Sequence, residues 1–368
     1  MFTAIDLFAG AGGLSEGFRM ENFRILVAND FDKYAAATYK LNHPEVHFLD
    51  GPIQNITGKD FLNATNIKKR ELDVLIGGPP CQAFSVYNHQ RGFHDERSGL
   101  FREYIRIVKA LEPKIIVMEN VTGMSSVENG RAIIEIYESL EKIGYTVEHR
   151  ILKAEDYGVP QERRRIIFFG VYGKYSIPWP KPTHDNASDK KLRKFNTVWD
   201  AISDLPKLKI DEGFEMGDYT NDPLSDLQKY LRKYSKNIFN HRAPHLNPIN
   251  IHRMQFIPQG GSWRDIPYDL LPNGMKKAKR SDHTKRYGRL TQNGLSSTIL
   301  TRCDPHWGAY IHPTQDRTLT VREAARLQTF PDRINFLGPR VEQYRQVGNA
   351  VPPLLSKAIA KSVKTILY

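Results

Sequence analysis

Short apolar runs that alternate with helical stretches constrain the fold of this chain more than any other feature. Arg24 to Ala28 is followed by a helical pattern over 32–41, Leu72 to Ile76 by one over 99–111, and Ile115 to Met118 by one over 129–143; Ile166 to Val171 is the last such run. Runs this short, separated by helical periods, mark parallel strands with helical crossovers, so residues 1 to about 172 are expected to form a doubly wound α/β domain. Ligands in such sheets bind beyond the carboxyl ends of the strands. Three run ends carry chemistry here. Phe2 to Phe8 leads into Ala9-Gly10-Ala11-Gly12-Gly13-Leu14, a glycine turn that admits a nucleotide-like group. Leu72 to Ile76 leads into Gly77-Gly78-Pro79-Pro80-Cys81-Gln82-Ala83-Phe84-Ser85, and Ile115 to Met118 into Glu119-Asn120-Val121. A thiol and a carboxylate thus stand at two strand ends. A lone cysteine is ordinarily a buried apolar residue, which is the expectation for Cys303; the setting of Cys81 after Pro-Pro reads instead as that of a nucleophile.

Six ordered segments resemble the signature motifs of DNA cytosine-5 methyltransferases of the prokaryotic restriction-modification type. They are Asp6-Leu7-Phe8-Ala9-Gly10 with Gly12-Gly13, the Pro-Pro-Cys-Gln turn, Glu119-Asn120-Val121, Gln161-Glu162-Arg163-Arg164-Arg165, Thr320 to Pro331, and Gln346-Val347-Gly348-Asn349-Ala350-Val351-Pro352. The resemblance covers residues 1 to about 172 and about 289 to 368. It implies an S-adenosyl-methionine-dependent methyltransferase fold, Rossmann-like, with a smaller, irregular target-recognition domain. Cytosine C5 is a poor nucleophile until a thiolate adds at C6, which is the role the family implies for Cys81. Glu119 would face ring N3, Arg165 would reach O2, and Arg163 would order the pocket; read as one strand, 163–165 sends the two outer arginines to one face.

The same resemblance assigns S-adenosyl-methionine, with S-adenosyl-homocysteine as product, to Phe8, Gly10, Gly13 and Leu14, with Asp30 for the ribose hydroxyls and Phe31 for the adenine. Asp50, Ile53, Pro80, Leu100, Asn349 and Val351 complete the expected cofactor contacts. One departure stands out. Where the family often has an acid against the adenine amino group, Leu49-Asp50-Gly51-Pro52-Ile53 offers a proline, and Asp50 is the expected substitute. No Cys and His cluster has zinc spacing, so no metal is expected.

Between 173 and 290 the α/β alternation stops. This segment holds 10 of the 22 prolines and three of the four tryptophans, and its only helical period runs over 224–236. Its 22 Lys and Arg against 13 Asp and Glu supply three quarters of the net charge of +12, which points to a polyanionic partner. The expected organisation is a catalytic and cofactor-binding domain over 1–172, a basic target-recognition domain over 173–290, and a return segment over 291–368 with helices near 320–329 and 354–366. The last helix carries an apolar face of Leu354, Leu355, Ala358, Ile359, Val363 and Ile366, expected to pack back on the first domain. DNA contacts are expected from Lys276, Lys277, Arg280 and Arg286 in the insert, and from Gln82, Ser85 and Thr298.

Two cysteines make no disulfide framework, no leader is expected ahead of the first strand, and no apolar run approaches about 18 residues. A soluble, cytoplasmic monomer of a bacterium or phage-infected cell follows as the expectation. Its partner is double-stranded DNA, with a restriction endonuclease paired in function without stable contact, and no membrane. The rivals are a transfer-RNA cytosine-5 methyltransferase of the same fold and an orphan DNA enzyme with no nuclease. A nicotinamide oxidoreductase fits poorly, since Gly10-x-Gly12-Gly13 lacks the third glycine. An amino-methylating enzyme would have an aromatic where Cys81 stands, and a DNA-binding protein without catalysis leaves Cys81 and Glu119 without a role.

Overall fold

The computed structural model describes residues 1–80, 99–186 and 188–368, with backbone alone for 126–129. Cys81, Gln82 and Ser85 lie outside the described residues. The chain divides into two compact units: Met1–Tyr157 with Arg164–Pro182 and Val351–Tyr368, and Gly158–Arg163 with Thr183–Ala350.

The first unit is built on a seven-stranded sheet of β1 (Thr3–Leu7), β2 (Arg24–Asp30), β3 (His47–Asp50), β4 (Val74–Gly77), β5 (Ile115–Val121), β6 (Tyr145–Lys153) and β7 (Arg164–Tyr172). The order is β3-β2-β1-β4-β5-β7-β6, and only β7 runs against its neighbours. Helices α1 (Gly13–Met20), α2 (Lys33–Asn42), α3 (Gly58–Thr65), α4 (Leu100–Leu111) and α5 (Arg131–Glu141) link the strands. This is the doubly wound architecture that the alternation predicts. The sequence reading did not register β3, α3 or the edge strand β6. The four residues of β3 are only partly apolar, and alternating burial in β6 breaks the continuous apolar run that marks the central strands.

The burial pattern explains the helices. In α4, Leu100, Phe101, Tyr104, Ile105, Ile107, Val108 and Leu111 are buried, one stripe of a 3.6-residue period. The Tyr104 hydroxyl donates to the Leu75 carbonyl at 2.8 Å, tying α4 to β4. Asp32 caps α2 by accepting from the amides of Tyr34 and Ala35, both at 2.9 Å. The C-terminal helix Pro353–Leu367 packs on α1, where the Ser356 hydroxyl donates to the Leu14 carbonyl at 2.7 Å. That crossing is close because of Gly17: a Cβ there would stand 2.4 Å from the Ser356 Cβ and 2.5 Å from the Lys357 backbone nitrogen. Gly17→Val is therefore expected to destabilise the protein by about 2 kcal/mol or more, outweighing any relief of glycine's helix penalty. Thermal unfolding with an unchanged midpoint would refute the close crossing.

The second unit is irregular. It holds short helices (Val198–Ile202, Asp226–Arg232, Pro248–Gln255, Asn273–Lys276, Val321–Leu327 and Arg340–Asn349), an apolar cluster of Met254, Ile257, Trp263, Ile266, Leu271, Met275, Tyr287 and Ile311, and a buried ionic frame. The helix expected over 224–236 is confined to Asp226–Arg232, since Lys233 leaves the helical region and Tyr234 is left-handed at φ 68°. The helix Pro248–Gln255 escapes a reading that takes proline as punctuation; Pro248 stands in the first turn, where it has no amide to satisfy, behind an Asn247 cap.

The frame explains the Thr320–Pro331 motif. Thr320 and Glu323 form a capping box, and Glu323 holds Arg317 through two bonds of 2.8 and 2.7 Å. Arg326 bridges Asp332 and Asp204, and Arg322 donates to the carbonyls of Phe239 and Ile334. Two histidines sit in this frame as neutral rings. The Pro206 carbonyl can only accept, so His241 Nε2, 2.9 Å away, carries its proton. The Thr314 amide donates to His312 Nδ1 at 3.1 Å. Burial lowers the pKa of both, that of His312 to about 4. An unfolded histidine takes its proton near 6.5, so between about pH 6.5 and 4 the unfolded chain binds more protons and stability falls with pH. The loss from His312 is expected to reach about 2–3 kcal/mol. Urea midpoints should fall more steeply with acid in the wild type than in His312→Asn, and parallel slopes would contradict the assignment.

Candidate active site

Strand register assembles the site in the first unit. Leu7 pairs with Asn29 on one side and Gly77 on the other, and Gly77 pairs with Met118. The turns after β2, β1 and β4 and the Glu119 carboxylate thus lie at adjacent strand ends. Strand order reverses between β1 and β4, and the crevice at such a switch point is where open α/β sheets bind ligands.

The turn after β1 is left-handed at Phe8 (φ 57°), Gly10 (φ 56°) and Gly12 (φ 87°). A Cβ on Gly12 would meet His43 Nε2 at 2.8 Å, whereas one on Gly10 would meet no atom of the described residues within 4 Å. Gly12 is needed for packing, and among the described residues none fills the space beside Gly10. The Gly10 amide donates to Asp30 Oδ2 at 2.8 Å and the Asp32 amide to Asp30 Oδ1 at 2.8 Å. Asp30, its carboxyl pushed up by burial, therefore locks the glycine turn to the end of β2. Next to it Phe31 is 64% exposed, an aromatic face left open at a strand end. Gly13 and Leu14 open α1 and are buried.

Asp50 pairs in register with Asp30 and is bound by Lys40 Nζ at 2.8 Å. Ile53 and Leu100 are buried members of the apolar core. Pro80 is half-buried at the end of the described turn, Val351 is buried, and Asn349 is the exposed last residue of its helix.

Glu119 and Arg165 form a largely buried ion pair, Arg165 Nε to Glu119 Oε1 at 2.6 Å. Burial pulls the guanidinium below its ordinary pKa, and the Glu119 carboxylate offsets part of that. Gly78 makes room for the acid, since a Cβ there would stand 3.0 Å from Glu119 Oε2. Asn120, which sequence reasoning left without a role, donates from Nδ2 to the Pro79 carbonyl at 3.2 Å and so ties the proline turn to β5. Asp6 was also passed over. It is fully buried in β1, accepts the Ser15 hydroxyl at 2.6 Å, and burial lifts its carboxyl to about 7. A carboxylate inside an otherwise apolar strand was the available signal.

Arg163 departs from the alternation read from sequence. The strand begins at Arg164, and Arg163 belongs to the second unit, where its fully buried guanidinium donates to the carbonyls of Ile299 (3.2 Å), Gly348 (2.9 Å) and Ala350 (2.8 Å). It clamps the segment that carries Asn349. Among the expected DNA contacts, Thr298 donates its hydroxyl to the Glu162 carbonyl at 2.6 Å. Lys277 and Arg280 are exposed, Lys276 lies over Tyr268, and Arg286 over Trp307. Among the described residues no group of three or more His, Cys, Asp and Glu is arranged to hold a metal ion, and no helix is long and apolar enough to cross a membrane.

A glycine turn, a proline turn and a carboxylate at the switch point of a doubly wound sheet with one reversed strand define the Rossmann-like methyltransferase class. The chain belongs to the C-5 cytosine-specific DNA methylase family, whose model matches residues 2–365. It is 37% identical to the Type II methyltransferase M1.HphI of Haemophilus parahaemolyticus over 98% of this chain and 86% of that protein. To the Type II methyltransferase M.AgeI of Thalassovita gelatinovora it is 32% identical over 99% of both. An E. coli prophage-encoded protein described as a DNA modification methyltransferase superposes with a TM-score of 0.79 at 25% identity, covering 100% of this chain and 99% of that one. The protein is thus a DNA cytosine-5 methyltransferase of the Type II restriction-modification kind, and the family implies a methyl donor of the S-adenosyl-methionine type.

Proposed function

We propose that the enzyme methylates C5 of a cytosine flipped out of duplex DNA within one short sequence, through a covalent bond between Cys81 and C6. The observation that carries this reading is the register that sets the Gly10 turn, the Pro79-Pro80 turn and Glu119 on neighbouring strand ends. The residues fit S-adenosyl-methionine: space beside Gly10 that no described residue fills, a carboxylate at Asp30 and an exposed ring at Phe31 suit methionine, ribose and adenine in turn. Phe8, Gly13, Leu14, Pro80, Asn349 and Val351 would complete the site, while Ile53 and Leu100 would support it from the core and Asp50 would approach the adenine edge. The group supplies an electrophilic methyl on its sulfonium.

Cys81 adds as thiolate to C6, and Glu119, which must take up a proton before this step, passes it to N3, so the ring becomes a neutral enamine whose C5 takes the methyl from the sulfonium. Arg165 orients Glu119 and donates towards O2, and Arg163 orders the segment around Asn349. A base then removes the C5 proton, those electrons restore the C5–C6 double bond as the thiolate leaves, and N3 returns its proton to Glu119 to give the neutral product. Flipping costs a few kcal/mol, which phosphate contacts from Lys276, Lys277, Arg280 and Arg286 offset, with Gln82, Ser85 and Thr298 near the target nucleotide.

We further infer a cytoplasmic monomer that protects host DNA from a companion endonuclease. Bisulfite sequencing of DNA from a methylation-free host expressing the protein tests the reaction. Protection of cytosine in one context, absent with Cys81→Ser, is the expected result; unprotected DNA with folded protein would move the substrate to RNA.

A further inference from the structure

Of the four tryptophans, Trp263 is buried, Trp179 and Trp199 are half-buried, and Trp307 alone is 52% exposed. Its loop is firmly built. The Trp307 amide donates to the Asp304 carbonyl at 3.0 Å, and the Tyr287 amide to the Pro305 carbonyl at 2.6 Å. His306 joins Asp304 at 2.6 Å through Nδ1 and the Tyr287 hydroxyl at 2.6 Å through Nε2. Tyr287 is fully buried in the apolar cluster of the second unit, so the ring is presented from a core-anchored base.

The Arg286 guanidinium lies over the Trp307 ring, 5.9 Å from its centroid. Arg286 ends the stretch Lys276, Lys277, Lys279, Arg280, Lys285 and Arg286, in which Asp282 is the only acid. A second exposed ring, Tyr268 at 66%, lies beneath Lys276 Nζ at 5.5 Å. Exposed rings backed by cations on a strongly basic surface suit bases within a phosphate backbone, where the ring stacks and the cation meets phosphate.

We infer that Trp307 is a DNA-contacting residue whose ring stacks on a base unstacked from its neighbours in the bound DNA while Arg286 pairs with an adjacent phosphate. This rests on the proposed reading of the second unit as the DNA-reading surface, and extends it to a residue outside the insert that composition marks. An isolated exposed tryptophan is otherwise unremarkable; the anchored loop and the overlying cation separate this one from that case.

The test uses the full chain and a duplex carrying the context protected in the bisulfite experiment, or mixed genomic fragments if none is protected. Wild-type tryptophan emission is expected to be quenched by duplex, and the quenching to disappear in Trp307→Phe. Trp307→Ala should weaken duplex binding by about 5- to 100-fold, the range of a lost base–aromatic stack, with Trp307→Phe recovering most of it. Both variants should keep the wild-type thermal midpoint and cofactor affinity. Trp307→Ala binding within about twofold of wild type, with quenching intact in Trp307→Phe, would overturn the role of Trp307 while leaving the DNA reading in place. A wild type that binds no duplex would overturn both.

Discussion

Cys81→Ser is expected to lower methyl transfer by about 10⁴-fold or more while duplex binding persists. The reason is chemical. A thiol with pKa near 8.5 supplies some thiolate at neutral pH and is a strong nucleophile, whereas a serine hydroxyl without an adjacent base supplies almost no alkoxide. Labelled methyl transfer and fluorescence anisotropy on one duplex separate the two readouts. A duplex with fluorine at C5 of the target cytosine adds a third, because fluorine cannot leave as a proton and the Cys81 adduct cannot collapse. Wild-type protein should stay attached to it through denaturation, and the variant should not. Methyl transfer at the wild-type rate by Cys81→Ser would exclude the covalent route.

Glu119→Gln is expected to reduce kcat by about 10²- to 10⁴-fold, the range for a positioned proton donor. The amide keeps the shape and can still bond to a ring nitrogen, but has no proton to give. It also leaves Arg165 without the carboxylate now 2.6 Å from its Nε. Arg165→Lys distinguishes the two effects, since it keeps a cation near Glu119 while removing the planar donor pair. Cofactor affinity measured by calorimetry should stay unchanged in Glu119→Gln, because the acid lies in β5, which β4 separates from β1 and β2, the strands that lead to Gly10 and Asp30. A variant within a few-fold of wild-type kcat would remove Glu119 as the acid.

The contrast between Glu119 and Arg163 shows where sequence reading stops. Glu119 was legible because an apolar run of four residues ends beside it, and a strand end is a local property of the chain. Arg163 sits two residues before Arg165 in the same charged motif, yet its guanidinium is spent on three backbone carbonyls from distant segments. Spacing alone made the two arginines equivalent. Asn120 is similar: its neighbour Glu119 announces a carboxylate, but the bond that fastens the proline turn spans 41 residues. The basic insert was visible from composition, whereas Trp307 lies outside it and meets Arg286 because the folded loop, held by the Tyr287–Pro305 bond, brings the two together.

Local pattern by itself determined the doubly wound sheet, the three chemistry-bearing strand ends and the family, because strand length, glycine turns and motif order are written along the chain. Tertiary structure alone decided the registers that align Leu7 with Gly77 and Gly77 with Met118, the coupling of Gly10 to Asp30, the pairing of Arg165 with Glu119 and the withdrawal of Arg163 into a backbone clamp. Those are long-range hydrogen bonds and ion pairs, chosen by which groups burial forces together and leaves needing a partner.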